Sequence, residues 1–159
     1  MPLTELPFGM TGRIFRSPMP FGVLDPQGVL WRSFLRTRIS VVVLLAEEEE
    51  CLRKTGRNLR LLYLQAGMHV LHLPIPDLRI PAKDALDRVV QRTIAYAQAG
   101  HHIVIHCSAG IGRTGLFAAY LAKRVLGLSG QAALQWIRRF IPQAVETPEQ
   151  EQLLLSEDE

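Results

Sequence analysis

The sequence predicts an α/β domain, with a mostly parallel central sheet and helices on both faces. Three observations predict it. Segments with strand character alternate with segments of helical periodicity along the chain. Two of the strands, Ile39–Leu45 (interrupted only by Ser40) and His102–His106 around Ile103-Val104-Ile105, are continuously apolar, the pattern of strands covered on both faces. The 159 residues are 48% apolar, enough for one core, and neither an internal repeat nor a linker divides them, so residues 1–159 read as one domain.

Taken in order, residues 1–28 are rich in Pro and Gly and read as an irregular entry, clearest over 1–12, with Gly12–Arg16 as a short edge strand. Leu30–Thr37 has a helical pattern. Ile39–Leu45 is a buried strand, and Glu47–Gln65 is charged and periodic, hence helical, with Gly56 and Asn58 as possible breaks. Met68–Leu73 is the next strand, followed by a loop with three prolines, Pro74, Pro76 and Pro81. Ala82–Ala99 reads as a long amphipathic helix, with Pro81 in its first turn and Gly100 at its end. His102–His106 is a strand, Ser108–Gly112 a glycine-bearing turn, and Arg113–Leu126 a helix stopped by Gly127. Gly130–Phe140 and Pro148–Leu155 close the chain as helices, and 156–159 read as a frayed tail.

Composition excludes several classes. The longest apolar run, Ile39–Ala46, is far short of the ~20 residues a membrane span needs. The first ten residues carry Glu5 and no basic stretch ahead of an apolar one, so no secretory signal is expected and the location is read as cytoplasmic. The net charge of +3 comes without any Lys/Arg run interleaved with aromatics, so no nucleic-acid partner is implied. The small basic excess is an ordinary surface or a positive rim around an anion site. Two cysteines, Cys51 and Cys107, make neither a disulfide framework nor a cysteine-based metal site. A monomer is expected.

In parallel sheets ligands sit beyond the carboxyl ends of the strands, which points to the segment after His106. It reads His106-Cys107-Ser108-Ala109-Gly110-Ile111-Gly112-Arg113-Thr114-Gly115. Five residues separate Cys107 from Arg113. So short a turn, with Gly110 and Gly112 free to take positive φ, can curl its backbone N–H groups inward. The following helix aims its own N-terminal N–H groups at the same centre. Such a ring, formed by Ser108, Ala109, Gly110, Ile111 and Gly112 and closed by the Arg113 fork, fits a tetrahedral oxyanion such as phosphate. The same positive field favours the thiolate of Cys107, the form that attacks phosphorus. The Thr114 hydroxyl can bond the sulfur and stabilise it as a leaving group. His106 is better placed to orient the loop through a backbone bond than to act as a base.

This decapeptide resembles the signature of the cysteine-based protein tyrosine phosphatase superfamily, a Cys and an Arg five residues apart followed by Ser or Thr. The loop reads like that of tyrosine-specific members. The short chain resembles compact members: dual-specificity enzymes, the kinase-associated type and small prokaryotic phosphatases. The resemblance implies a phosphatase-like fold, a cysteinyl-phosphate intermediate and no metal or cofactor. It also implies a general acid on a loop some thirty residues before the cysteine. Asp77, in Pro74-Ile75-Pro76-Asp77-Leu78-Arg79-Ile80-Pro81, stands at that distance from Cys107. Asp84 is the runner-up, although a first-turn helix residue favoured by the dipole explains it as well. Arg79 either reaches a second anionic group or pairs on the surface.

Ala144-Val145-Glu146-Thr147-Pro148-Glu149-Gln150 resembles the loop that supplies a water-positioning Gln in tyrosine-specific members. Here Glu146 stands where that Gln is expected, and Gln150 lies four residues on. A helix start, with Thr147 as N-cap and Gln150 at N3, explains the same segment. Cys51 reads as a helix residue with no tie to Cys107. Trp31 and Trp136 read as core, and His69, His72, His101 and His102 as edge or packing residues.

The expected reaction is hydrolysis of a phosphoprotein or phosphopeptide, phosphotyrosine first and phosphoserine or phosphothreonine as well if the cleft is shallow. Relatives that favour inositol phosphates often carry Lys within the loop, whereas Ala109 and Ile111 are neutral. A phosphoinositide or other small phosphoester is the alternative substrate. A non-catalytic phosphoprotein-binding module is the alternative of another class. Sulfur-transfer and arsenate-reducing enzymes need a different loop spacing.

Overall fold

The computed structural model describes residues 3–156. Five strands form one sheet in the order β1-β2-β5-β3-β4. They are β1 (Thr4–Leu6), β2 (Ile14–Ser17), β3 (Ile39–Leu44), β4 (His69–His72) and β5 (His102–His106). β1 runs antiparallel to β2, and the other pairings are parallel. The helices are α1 (Val29–Arg36), α2 (Glu48–Thr55), α3 (Leu59–Gln65), α4 (Lys83–Gln98), α5 (Gly112–Leu126), α6 (Gly130–Arg138) and α7 (Pro148–Leu155).

The apolar strands divide their side chains by the period of two that a pleated sheet imposes. Val41 and Val43 of β3, with Ile103 and Ile105 of β5, pack under α4, α5, α6 and α7. Val42 and Leu44, with Val104, pack under α1, α2 and α3. Two helical layers therefore cover the sheet, which is why these strands show no polar face in the sequence.

The register fixes where chemistry can occur. Ser17 of β2 and Leu44 of β3 both lie level with His106, the last residue of β5, and Leu44 is level with His72 of β4. The loops leaving β2, β3, β4 and β5 therefore emerge together at one edge. Leu45 N–H donates to His106 O at 3.0 Å, Ile75 N–H to Leu45 O at 3.0 Å, and Met19 N–H to Ser108 O at 2.8 Å.

The structure departs from the sequence reading in four places. Thr4–Leu6, within the segment expected to be irregular, forms the antiparallel edge strand, so β2 lies inside the sheet rather than at its edge. Three residues are too few to show a pattern in the sequence. Glu47–Gln65 is two helices, because Gly56 ends α2 in the left-handed region (φ 70°) and the Asn58 side chain caps α3. Pro81 precedes the Ala82 N-cap and stands outside the first turn of α4. The helix expected to reach Phe140 ends at Arg138. The tail expected over 156–159 lies, apart from Ser156, outside the described residues.

Gly115, in the first turn of α5, lets the Ala144–Glu146 turn approach the site. A Cβ there would lie 2.6 Å from Ala144 Cβ and 2.9 Å from its Cα. Gly115→Ala should therefore cost about 1–3 kcal/mol, the usual penalty of overpacking, read as a lower midpoint in denaturant unfolding.

Candidate active site

Cys107 follows β5 directly, is 2% exposed, and opens the loop that leads into α5. Thr114 Oγ1 donates to Cys107 Sγ at 3.1 Å. Both glycines were expected to take positive φ, and they serve the loop in two different ways. Gly110 takes φ +77°, and a Cβ on it would collide with Ser17 O. Gly112 has no positive φ; a side chain there would strike the Glu146 carboxylate, which lies against it. The outer side of the loop is held by Arg16, which donates to the carbonyls of Ala109 (3.3 Å) and Gly110 (3.1 Å from Nε). Burial pulls the Arg16 guanidinium down, and the charge of Cys107 opposes this.

Arg113 is buried, with its side chain 1% exposed. Its Nη1 and Nη2 donate to the two oxygens of Glu50, each at 2.8 Å, and Nη1 also donates to Ile75 O at 2.8 Å. Of five N–H donors, the Nε–H and the second Nη2–H are left among the described residues for an oxyanion. Asp77 stands beside that edge, with Oδ1 3.3 Å from Nη2 and a side chain 57% exposed. Burial works against the charged guanidinium. Glu50, the Cys107 sulfur and Asp77 outweigh it and hold the group above its ordinary range.

Glu50 also accepts from Lys54 Nζ at 3.0 Å, and the same ammonium donates to Ser108 Oγ at 2.8 Å. Burial pushes the Glu50 carboxyl up, but the bonds and charges of Arg113 and Lys54 bring it down to about 2.

His106 is fully buried. Its Nδ1 lies 3.0 Å from Cys107 O, which can only accept, so the proton sits on Nδ1. Nε2 then accepts from Tyr63 O–H at 2.7 Å. Burial pushes this imidazole down to about 4, so it is neutral in the folded protein.

Asp77, Glu146 and the loop from Cys107 to Arg113 thus share one edge of the sheet. Gln150 is also there but fully buried: its Oε1 accepts from Glu146 N–H at 2.9 Å and its Nε2 donates to Arg79 O at 3.1 Å. Thr147 caps α7 by accepting from Gln150 N–H. The exposed Arg79 guanidinium lies 3.8 Å from Glu149. Asp84 is in the first turn of α4. Cys51 packs among α1, α2 and α3, where burial and then the Glu50 charge push its thiol up to about 11. No group of three or more His, Cys, Asp or Glu with metal-holding geometry occurs among the described residues.

A protein-family model described as "Polymorphic toxin system, DSP-PTPase phosphatase" matches residues 30–127, more than half of the chain. The chain belongs to this family, within the dual-specificity-like cysteine phosphatases. The chain is 33% identical over 87 residues to the uncharacterized protein MJECL20 of Methanocaldococcus jannaschii, covering 54% of the chain and 56% of that protein. It spans about half the length of the curated relatives it matches. Among solved structures it resembles the active form of Tk-PTP (29% identity, TM-score 0.77, 95% of this chain and 93% of that one). It also resembles kinase associated phosphatase (20%, TM-score 0.86, 97% and 93%). PTPMT1 in complex with PI(5)P is similar in fold (20%, TM-score 0.74, 90% and 88%).

Glu50, Lys54, Arg16 and Tyr63 were not singled out in the sequence. Glu50 and Lys54 left a signal, an acid and a base four residues apart on a helix, but surface pairs have the same spacing. Arg16 and Tyr63 left none.

The His106 and Glu50 environments set the acid stability. An imidazole that drops from 6.5 unfolded to about 4 folded contributes no penalty above pH 6.5. Below it, the unfolded chain takes up a proton that the folded one refuses, so stability falls as pH goes from 6.5 to 4, by up to roughly 3 kcal/mol. Glu50 adds a second loss as pH falls from about 4.5 towards 2. Denaturant midpoints measured across this range should slope accordingly, and His106→Gln should flatten the limb above pH 4.

Proposed function

We propose that the protein hydrolyses phosphomonoesters on phosphoproteins, phosphotyrosine first, through a cysteinyl-phosphate intermediate. The observation that carries this reading is that the acid and the phosphate grip meet: Asp77 lies 3.3 Å from Arg113 Nη2, although thirty-five residues separate them. In the first step Cys107 Sγ attacks phosphorus, the S–P bond forms, the ester P–O bond breaks, and the leaving oxygen takes the Asp77 proton. The loop N–H groups from Ser108 to Gly112 and the free edge of Arg113 stabilise the equatorial oxygens. In the second step Asp77 takes a proton from water, water oxygen attacks phosphorus, and the sulfur leaves as a thiolate eased by the Thr114 hydroxyl. Glu146, whose carboxylate packs on Gly112, is the group that orients this water; the Gln150 amide is engaged elsewhere.

The neutral side chains of Ala109 and Ile111 support a phosphoprotein over a multiply charged inositol phosphate. One observation favours the second substrate class. Lys54 sets an ammonium on Ser108, adding a cation from outside the loop. A binding module without turnover is the weaker reading, because both Cys107 and Asp77 are present.

Hydrolysis of p-nitrophenyl phosphate, a phosphotyrosine peptide and a phosphoinositide, each in EDTA, tests this. Wild type should turn over the peptide fastest, Cys107→Ser should be inactive, and Asp77→Ala should lose about 10²-fold or more on the peptide. Faster turnover of the lipid headgroup moves the substrate class. An inactive wild type whose Cys107→Ser form binds the peptide replaces the enzyme with a binding module.

A further inference from the structure

We propose that Gln150 is a positioning residue for the general acid, acting through the backbone of the Asp77 turn rather than on substrate or water. The inference rests on the reading of Asp77 as that acid.

Asp77 occupies the second position of a tight turn, closed by Arg79 N–H donating to Pro76 O at 3.0 Å. The third position, Leu78, takes φ +67°, while its side chain is 51% exposed. A left-handed leucine costs roughly 1–2 kcal/mol, and this one recovers little by burial. The turn is therefore not self-supporting and must be held from outside.

Besides the Asp77 carboxylate beside Arg113, two anchors hold its backbone. In front, Ile75 N–H donates to Leu45 O, and Ile75 O accepts from Arg113 Nη1 at 2.8 Å. Behind, Gln150 Nε2 donates to Arg79 O at 3.1 Å. The Arg79–Glu149 contact at 3.8 Å joins the same two segments, but both side chains are exposed and such pairs contribute little.

Gln150 is the stronger rear anchor because it is fully buried and engaged at both ends. Its Oε1 is fixed by Glu146 N–H, so its amide cannot rotate away from Arg79 without leaving a buried donor and acceptor unpaired. Removing it lets Leu78 relax to negative φ and carries the Asp77 backbone with it. Acid catalysis depends steeply on such placement. Removal of a residue that merely caps α7 would instead lower activity evenly on every substrate.

Leaving-group dependence separates these cases, because a good leaving group needs little protonation and a poor one needs much. The test measures kcat and KM for p-nitrophenyl phosphate and for phenyl phosphate with the full chain. The proteins are wild type, Gln150→Met, Asp77→Asn and the double variant, each checked for folding by thermal unfolding. Gln150→Met should lose about tenfold or more in kcat on phenyl phosphate and about threefold or less on p-nitrophenyl phosphate, with KM nearly constant. It should add nothing further in the Asp77→Asn background. Equal loss on both substrates, or a loss that multiplies with Asp77→Asn, overturns the inference. If Asp77→Asn itself shows no leaving-group dependence, the acid reading falls and the inference with it. Gln150→Glu keeps the acceptor for Glu146 N–H while removing the amide donor. It carries the same expectation if Gln150→Met does not fold.

Discussion

Arg113 keeps a full charge while its side chain is 1% exposed, so water does not solvate it. Glu50 takes the place of that water. The pair is bidentate, at 2.8 Å on each arm, which fixes the plane of the guanidinium as well as its position. Removing one partner of such a pair leaves a buried, unpaired charge and typically costs about 3–5 kcal/mol. The site is thus built around a charge that the fold must keep compensated.

Much of the geometry follows from that compensation. Glu50 comes from α2, which follows β3; Asp77 and Ile75 follow β4; Cys107 and Arg113 follow β5. Parallel pairing of these three strands brings their ends level, so three distant stretches of sequence meet at one guanidinium. With Nη1 spent on Glu50 and Ile75, the fold itself fixes which edge of the guanidinium stays open. Lys54 extends the same carboxylate towards Ser108, and Arg16 draws the loop carbonyls outward. Preorganisation of this kind lets charge be stabilised in the transition state without moving groups at the moment of reaction.

The sequence made the local parts legible. The continuous apolarity of Ile39–Leu45 and His102–His106 pointed to a sheet covered on both faces, and the Cys107–Arg113 spacing pointed to a strand-to-helix loop, because each depends on neighbours in the chain. Gly110 needs its positive φ, as its place in the turn suggested, whereas Gly112 needs space for Glu146, which no local pattern reveals. Glu50 lay unseen in an acidic run, since a buried counterion and a solvated helix face share one spacing. The strand at Thr4–Leu6 was too short to read, and the Gln150 bond to Arg79 spans 71 residues.

The most direct test of this account is the affinity of the cradle for a bare oxyanion. Calorimetric titration with tungstate would compare wild type and Glu50→Gln, with unfolding midpoints recorded alongside. If Glu50 sets the Arg113 fork, folded Glu50→Gln should bind tungstate at least about tenfold more weakly, a difference of roughly 1.4 kcal/mol. Unchanged affinity in a folded Glu50→Gln protein would contradict the account, because Arg113 would then find its grip without the carboxylate.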